Sequence, residues 1–149
     1  MKNIDPKTAA RVWERVQAPA STADAAAIQV LLTEEIQDSL IYARLAKRLP
    51  PAQAAIARQM AQQEQTHITC LKGIYAMITG STPRFSATAP ADDPIPIVLR
   101  RCYGREMRCL AQYEARGTDP QYGHIFRKLA HQEQEHCQKL LELLGTLTK

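Results

Sequence analysis

The unit Glu-x-x-His occurs twice in this chain, from Glu64 to His67 and from Glu133 to His136. On an α-helix, side chains three positions apart lie about 60° apart around the axis and roughly 4.5 Å apart along it, so that both can bind one metal ion. Each unit stands among apolar residues at helical spacing, which predicts that it faces a core. Because a buried carboxylate without a partner is costly, the fold has to bring these groups together with metal ions or protons.

The composition limits the protein to a few classes. A chain of 149 residues with 45% hydrophobic and 23% charged residues is most simply one globular domain, residues 1–149. No segment approaches the roughly 20 apolar residues of a membrane span, and residues 1–6 lack the apolar run of a secretory signal. We therefore expect a cytoplasmic protein with no membrane partner. Lys and Arg are spread along the chain without a basic tail, which argues against a nucleic-acid partner despite the net charge of +4.

The four cysteines form no Cys-x-x-Cys pair, so the sequence cannot build a zinc ribbon, a rubredoxin-type iron site or a thioredoxin-like motif. We expect four reduced and mostly buried thiols.

Turn and cap residues divide the chain into a short N-terminal helix, within residues 1–20, and a four-helix bundle over residues 22–149. Asp5-Pro6 predicts the start of the N-terminal helix. The bundle helices are predicted from Ser21 or Thr22 to Leu49, from Pro51 to Gly80, from Asp92 or Asp93 to Gly117, and from Thr118 to Gly145.

One long connection, residues 80–94, is rich in turn-forming residues. Fully extended, it reaches about 50 Å, which exceeds the length of about 40 Å expected for the preceding helix. The connection can therefore cross the whole bundle. The predicted fold is all-α: a four-helix bundle with one long crossover connection.

The two halves of the chain look duplicated. Glu35 is followed seven residues later by Tyr42, and Glu106 is followed seven residues later by Tyr113. The two Glu-x-x-His units repeat at nearly the same offset. This match selects Glu35 rather than its neighbour Glu34 as a candidate ligand.

A four-helix bundle that supplies one Glu from each of two helices and Glu-x-x-His from each of the other two matches the dinuclear carboxylate sites. The candidate ligands, called here the six-residue cluster, are Glu35, Glu64, His67, Glu106, Glu133 and His136. Four carboxylates balance two divalent cations, and one imidazole per ion leaves positions open for oxygen ligands. We expect two ions about 3.5–4 Å apart. His124 and His131 lie off the ligand register and are expected to be exposed.

This ordered set resembles the ferritin-like superfamily and, within it, the erythrin domain of rubrerythrins, over about residues 22–147. The resemblance implies two iron ions, with manganese possible, that react with hydrogen peroxide or dioxygen. It also implies that Tyr42 and Tyr113 hydrogen-bond ligand carboxylates across the bundle. As core aromatics, the same tyrosines would need only some acceptor for their hydroxyls.

Two departures from rubrerythrins shape the expected chemistry. Since this sequence cannot build a rubredoxin-type domain, electrons have to come from a separate donor protein. Rubrerythrins also carry a further carboxylate where this chain has Cys109, one turn after Glu106. A neutral thiol offers no alternative ligand, so we expect each ion to keep its His in both oxidation states. Asp38 holds the matching place after Glu35 and is the residue that can supply the missing carboxylate.

The function expected from the resemblance is a metal-dependent oxidoreductase, a peroxidase or oxidase, that works as a homodimer. The alternatives are a ferroxidase or iron-handling protein and a structural bundle whose metals only stabilise the fold. Glu and His suit iron and manganese alike, so the sequence leaves the native metal open.

Overall fold

The computed structural model describes residues 5–7 and 21–147. The described part contains four α-helices and no strand: α1 (Ala25–Ala46), α2 (Pro51–Thr79), α3 (Ile95–Ala115) and α4 (Gly123–Leu147). The prediction of an all-α protein with four helices is confirmed. The predicted N-terminal helix lies outside the described residues, except for residues 5–7. None of the helices in the described ranges is both long and apolar enough to cross a membrane.

Each helix buries one stripe of residues spaced three or four apart. In α1 this stripe runs from Ile28 to Leu45, and the other three helices show the same spacing. One Glu of the six-residue cluster stands in the stripe near the middle of each helix. The hydrophobic packing that buries the stripes therefore also buries the four carboxylates at one level of the bundle.

The helices pack as two hairpins. Helix α1 packs along α2 and α3 packs along α4, while α1 also contacts α3 and α2 contacts α4. The turns within the hairpins are short, residues 47–50 and 116–122. Short turns make the helices of each hairpin antiparallel neighbours.

The crossover connection, residues 80–94, runs beside α1 for most of its length. Three pairs of contacts follow each other along the two segments: Gln29 with Arg84, Gln37 with Thr88, and Arg44 with Asp92. Helix α2 has 29 residues, about 43 Å at 1.5 Å per residue, and the connection returns over this distance before α3 begins. Helices α2 and α3 consequently run parallel, on opposite hairpins.

The predicted N-cap of α1 is wrong. The cap is Asp24, whose side chain accepts a hydrogen bond from the backbone N–H of Ala26. The hydroxyls of Ser21 and Thr22 instead donate to the Asp119 carboxylate in the α3–α4 turn, at 2.8 and 3.2 Å. The Asp119 carboxylate therefore binds the two hydroxyls that were predicted to cap α1.

The predicted N-cap of α3 is also wrong, because the helix follows Pro94 without a side-chain cap. The carboxylates of Asp92 and Asp93 bind Arg44 and Arg101 instead. A guanidinium forms stronger hydrogen bonds with a carboxylate than a backbone N–H does.

Three predicted helix bounds differ from the observed ones, and the first is the start of α4, which lies at Gly123 rather than Thr118. Helix α1 ends at Ala46 rather than Leu49, and α4 continues past Gly145 to Leu147. Gly145 costs the helix about 1 kcal/mol relative to Ala but does not end it. Gly80 does end α2, since it adopts φ 70°, the left-handed conformation that a helix C-cap favours.

The apolar core is divided into two clusters. One lies towards the α3–α4 turn and includes Tyr113 and Phe126, and the other lies towards the α1–α2 turn and includes Tyr42 and Met60. The six-residue cluster belongs to neither and stands between them along the helices. Apolar packing on both sides limits the access of water to this polar layer.

Candidate metal centre

All six side chains of the cluster are at most 1% exposed. They form two overlapping groups in which the candidate ligand atoms lie within 4.8 Å of one another: Glu35, Glu64, His67 and Glu133, and Glu64, Glu106, Glu133 and His136. The residues singled out from the sequence thus come together from four helices.

Eight buried side-chain atoms of the described residues have no hydrogen-bond partner, and all eight belong to the six-residue cluster. They are both carboxylate oxygens of Glu64 and Glu133, one oxygen each of Glu35 and Glu106, and Nδ1 of each histidine. Buried polar atoms are normally paired, and leaving one unpaired costs about 1–3 kcal/mol. Eight such atoms in one layer form a candidate site for ligands outside the protein chain.

The candidate ligand atoms form two sets, one around each histidine. In the first set, Nδ1 of His67 lies 2.8 Å from Glu133 Oε1, 3.3 Å from Glu64 Oε2 and 3.4 Å from Glu35 Oε2. None of these contacts has hydrogen-bond geometry. The nitrogen and the three oxygens lie close enough together to share one ligand.

In the second set, Nδ1 of His136 lies 2.9 Å from Glu64 Oε1, 3.6 Å from Glu106 Oε1 and 3.9 Å from Glu133 Oε2. Glu64 and Glu133 each give one oxygen to either set. These two carboxylates can therefore bridge two ions, whereas Glu35 and Glu106 can each reach only one.

The two tyrosines bond the carboxylates of the opposite hairpin. The hydroxyl of Tyr42 on α1 donates to Glu106 Oε1 on α3, and that of Tyr113 on α3 donates to Glu35 Oε1 on α1. Burial, followed by the charge of the nearby carboxylate, raises the pKa of each tyrosine well above its usual value. Both hydroxyls thus remain protonated donors. Each holds one oxygen of its Glu and leaves the other free for a ligand.

Two glutamines outside the predicted ligand set contact the histidines. Oε1 of Gln132 lies 2.7 Å from Nε2 of His67, and Oε1 of Gln63 lies 2.7 Å from Nε2 of His136. The sequence contained a signal for them, because each glutamine directly precedes the Glu of its Glu-x-x-His unit. The repeated motif is therefore longer, Gln-Glu-Gln-x-His.

Asp38 lies beside the site but outside both groups. Its Oδ1 accepts a hydrogen bond of 2.6 Å from Nε of Arg105. In the described structure Asp38 therefore pairs with a guanidinium, and its role as a replacement for the carboxylate missing at Cys109 stays a prediction.

Cys109 is 3% exposed and packs in the apolar cluster near the α3–α4 turn. Burial raises the pKa of its thiol, so that it stays neutral and is a poor metal ligand. The expectation of mostly buried thiols is confirmed, because the four cysteines are free and Cys70 alone among them is exposed. His124 and His131 are exposed as predicted.

The electrostatics of the cluster fit divalent cations. Burial and then the charge of Glu35 raise the pKa of Glu64 well above its usual value. Burial lowers the pKa of His67, but the nearby Glu35 carboxylate outweighs it and the net shift is upward. Without metal, the cluster therefore retains protons to limit repulsion among its carboxylates. Two divalent cations would supply the same compensation and would pair all eight unsatisfied atoms.

These shifts predict how pH affects the metal-free protein. Burial and the charge of Glu106 raise the pKa of Asp38 from 3.8 to about 8, although Arg105 opposes the shift. Its ordinary pKa returns on unfolding, so the native state binds more protons than the unfolded state between about pH 4 and pH 8. Stability falls as pH rises through this window, and the raised pKa of Glu64 acts in the same direction.

Metal binding requires deprotonated ligands, so the stabilisation by Mn²⁺ should increase with pH. We expect the difference in Tm between Mn²⁺-loaded and metal-free protein to be larger at pH 8 than at pH 6, as measured by calorimetry. Asp38→Asn should flatten the pH dependence of the metal-free protein. A difference in Tm that shrinks towards pH 8 would contradict this prediction.

Comparison with known proteins adds no assignment: no protein-family model matches the sequence, and neither does any curated protein. The candidate metal centre accordingly rests on its own geometry.

Proposed function

We propose that this protein is a dinuclear metal oxidoreductase of the rubrerythrin type, built on a ferritin-like bundle, which reduces hydrogen peroxide with electrons from a separate donor protein. The observation that carries the proposal is the layer of eight buried, unpaired atoms, in which Glu64 and Glu133 each have one oxygen near each histidine. A site for one ion would not need two shared carboxylates with both oxygens free.

The residues present fit two ions. Glu35 and His67 would hold one ion, Glu106 and His136 the other, and the carboxylates of Glu64 and Glu133 would join them. When bound, two ferrous ions supply one electron each, the number that converts one hydrogen peroxide and two protons into two water molecules. Four protein ligands per ion leave coordination positions for an oxygen ligand. We favour iron for this redox role, with manganese as the alternative.

The surrounding residues have roles that suit such a reaction. The hydroxyls of Tyr42 and Tyr113 orient Glu106 and Glu35, so that these carboxylates need little reorganisation when the charge at the site changes. The apolar clusters on both sides keep bulk water from the layer, which strengthens its electrostatic interactions. Asp38 and Arg105 pair beside the site, so that the Asp38 side chain is held away from the six-residue cluster.

Anaerobic oxidation kinetics test the proposal. Protein loaded with two Fe²⁺ per chain should be oxidised faster by hydrogen peroxide than by dioxygen in stopped-flow measurements, and should turn over repeatedly when a reductant is supplied. Glu34→Ala, which changes a carboxylate outside both groups, should react like the unaltered protein.

Two other outcomes would each assign a different role. Faster oxidation by dioxygen, followed by release of ferric iron or formation of mineral, would identify a ferroxidase. Metal-dependent stability without any redox response would identify a structural site. The separate electron donor, the cytoplasmic location and the homodimer remain predictions, and sedimentation of the loaded protein would test the homodimer.

A further inference from the structure

Gln63 and Gln132 form reciprocal contacts between the two helices that carry the histidines. Gln63 on α2 reaches His136 on α4, and Gln132 on α4 reaches His67 on α2, both at 2.7 Å between Oε1 and Nε2. Both glutamines are half-buried, whereas the rings that they contact are fully buried. Each histidine is therefore held by a side chain from the opposite Glu-x-x-His unit.

The chemistry of the contact determines which ring nitrogen can bind a metal ion. An amide oxygen only accepts hydrogen bonds, so the Nε2 atom beside it has to carry a proton. In a neutral imidazole the lone pair is then on the other nitrogen, Nδ1. Nδ1 is the atom of both histidines that lies unpaired among the carboxylates. The two observations are independent, and both assign Nδ1 as the ligand atom.

The acceptor is also neutral. A carboxylate in this position would withdraw more of the Nε2 proton and make the imidazole a stronger electron donor to its ion. Such a donor favours the higher oxidation state and lowers the reduction potential. An amide fixes the orientation of the ring without lowering the reduction potential. The identity of the residue before the Glu of each Glu-x-x-His unit is therefore a means of setting the reduction potential of the bound ion.

We propose that Gln63 and Gln132 are positioning residues that select Nδ1 of the opposite histidine for metal binding and, as neutral acceptors, keep the reduction potential of that ion high. The inference rests on the proposed dinuclear centre, and it extends that proposal to residues outside the six-residue cluster. The two glutamines should therefore act across the bundle: a substitution of Gln63 on α2 should affect the ion bound by His136 on α4.

Metal titration tests the positioning role. Gln63→Met removes the acceptor at similar side-chain volume and should weaken one ion per chain by about 10- to 100-fold, the usual effect of losing such a partner, while the other ion changes by less than about threefold. Gln132→Met should do the same to the other ion, and the double variant should weaken both. Binding of Mn²⁺ in competition with a chelator measures the affinities, and the absorption bands of bound Co²⁺ report whether one or both sites change.

Two controls separate positioning from general loosening of the helices. Gln62→Met and Gln134→Met change exposed glutamines on the same helices and should leave both affinities unchanged. Gln63→Glu retains an acceptor, so it should restore binding while shifting the reduction potential of the di-iron form to a more negative value in a redox titration.

The inference would be overturned if Gln63→Met weakened both ions equally or neither, or if Gln63→Glu left the potential unchanged. Its failure is distinct from a failure of the proposed function. If the unaltered protein binds no metal, the metal centre itself is refuted. If the unaltered protein binds two ions and the glutamine variants bind them with the same affinities, only the role of the glutamines is refuted.

Discussion

Replacing Glu64 by Ala should abolish the binding of both metal ions. Both oxygens of this carboxylate are buried and unpaired, and each belongs to a different set of ligand atoms. Loss of a residue that only supports a ligand costs about 10- to 100-fold in metal affinity, so loss of a shared ligand should cost at least about 100-fold at both positions. Elemental analysis after loading with Fe²⁺ or Mn²⁺ should show two ions per chain in the unaltered protein and nearly none in Glu64→Ala.

Three further variants make this prediction specific. Glu133→Ala should match Glu64→Ala, because it is the second shared carboxylate. Glu35→Ala should retain the ion bound by His136 and lose chiefly the other. Glu34→Ala is the matched control, since it removes a carboxylate next to Glu35 that belongs to neither set. Equal metal content in Glu64→Ala and Glu34→Ala would refute the dinuclear assignment.

Loading with metal should also raise the melting temperature by about 15–30 °C. At a free metal concentration about 1,000 times Kd, each ion stabilises the native state by about 4 kcal/mol. Two ions together contribute about 8 kcal/mol, and each kcal/mol shifts Tm by about 2–4 °C for a domain near this size. The physical origin is the layer of buried carboxylates, whose mutual repulsion the ions remove.

Scanning calorimetry of Mn²⁺-loaded and metal-free protein at one pH would measure this shift. The double variant Glu64→Ala, Glu133→Ala should show almost none of it, which excludes non-specific binding of the cation to the surface. A metal-free protein that melts within about 3 °C of the loaded one would mean that protons alone satisfy the layer, and the cluster would then be no metal centre.

The sequence by itself determined the helices and the composition of the cluster. Apolar residues recur at the helical period in all four helices, and the ligand residues occupy places within that period, so Glu35, Glu106 and the two Glu-x-x-His units had to face the same interior. The duplication then distinguished Glu35 from Glu34. These features are local or periodic, and a single chain displays them without knowledge of its contacts.

Which individual partner each site residue contacts was decided by the tertiary structure. Tyr42 bonds Glu106 and Tyr113 bonds Glu35, pairs separated by 64 and 78 residues, and no periodicity within one helix specifies them. The partner of Asp38 also depends on the tertiary structure. The sequence made this residue a possible ligand, and in the folded protein it pairs with Arg105.

The ends of the helices likewise depend on contacts that only the tertiary structure determines. Ser21 and Thr22 have the side chains of N-caps, but a cap contributes about 1 kcal/mol, and the buried Asp119 carboxylate, nearly 100 residues away, competes for the same hydroxyls. Asp92 likewise bonds Arg44 instead of capping α3. The burial of the apolar stripes contributes a large free energy of folding, and the sequence specifies it by the helical period of its apolar residues. A single polar side chain, in contrast, gains about the same free energy from hydrogen bonds with any of several partners. Only the packed structure determines which of these partners is within reach.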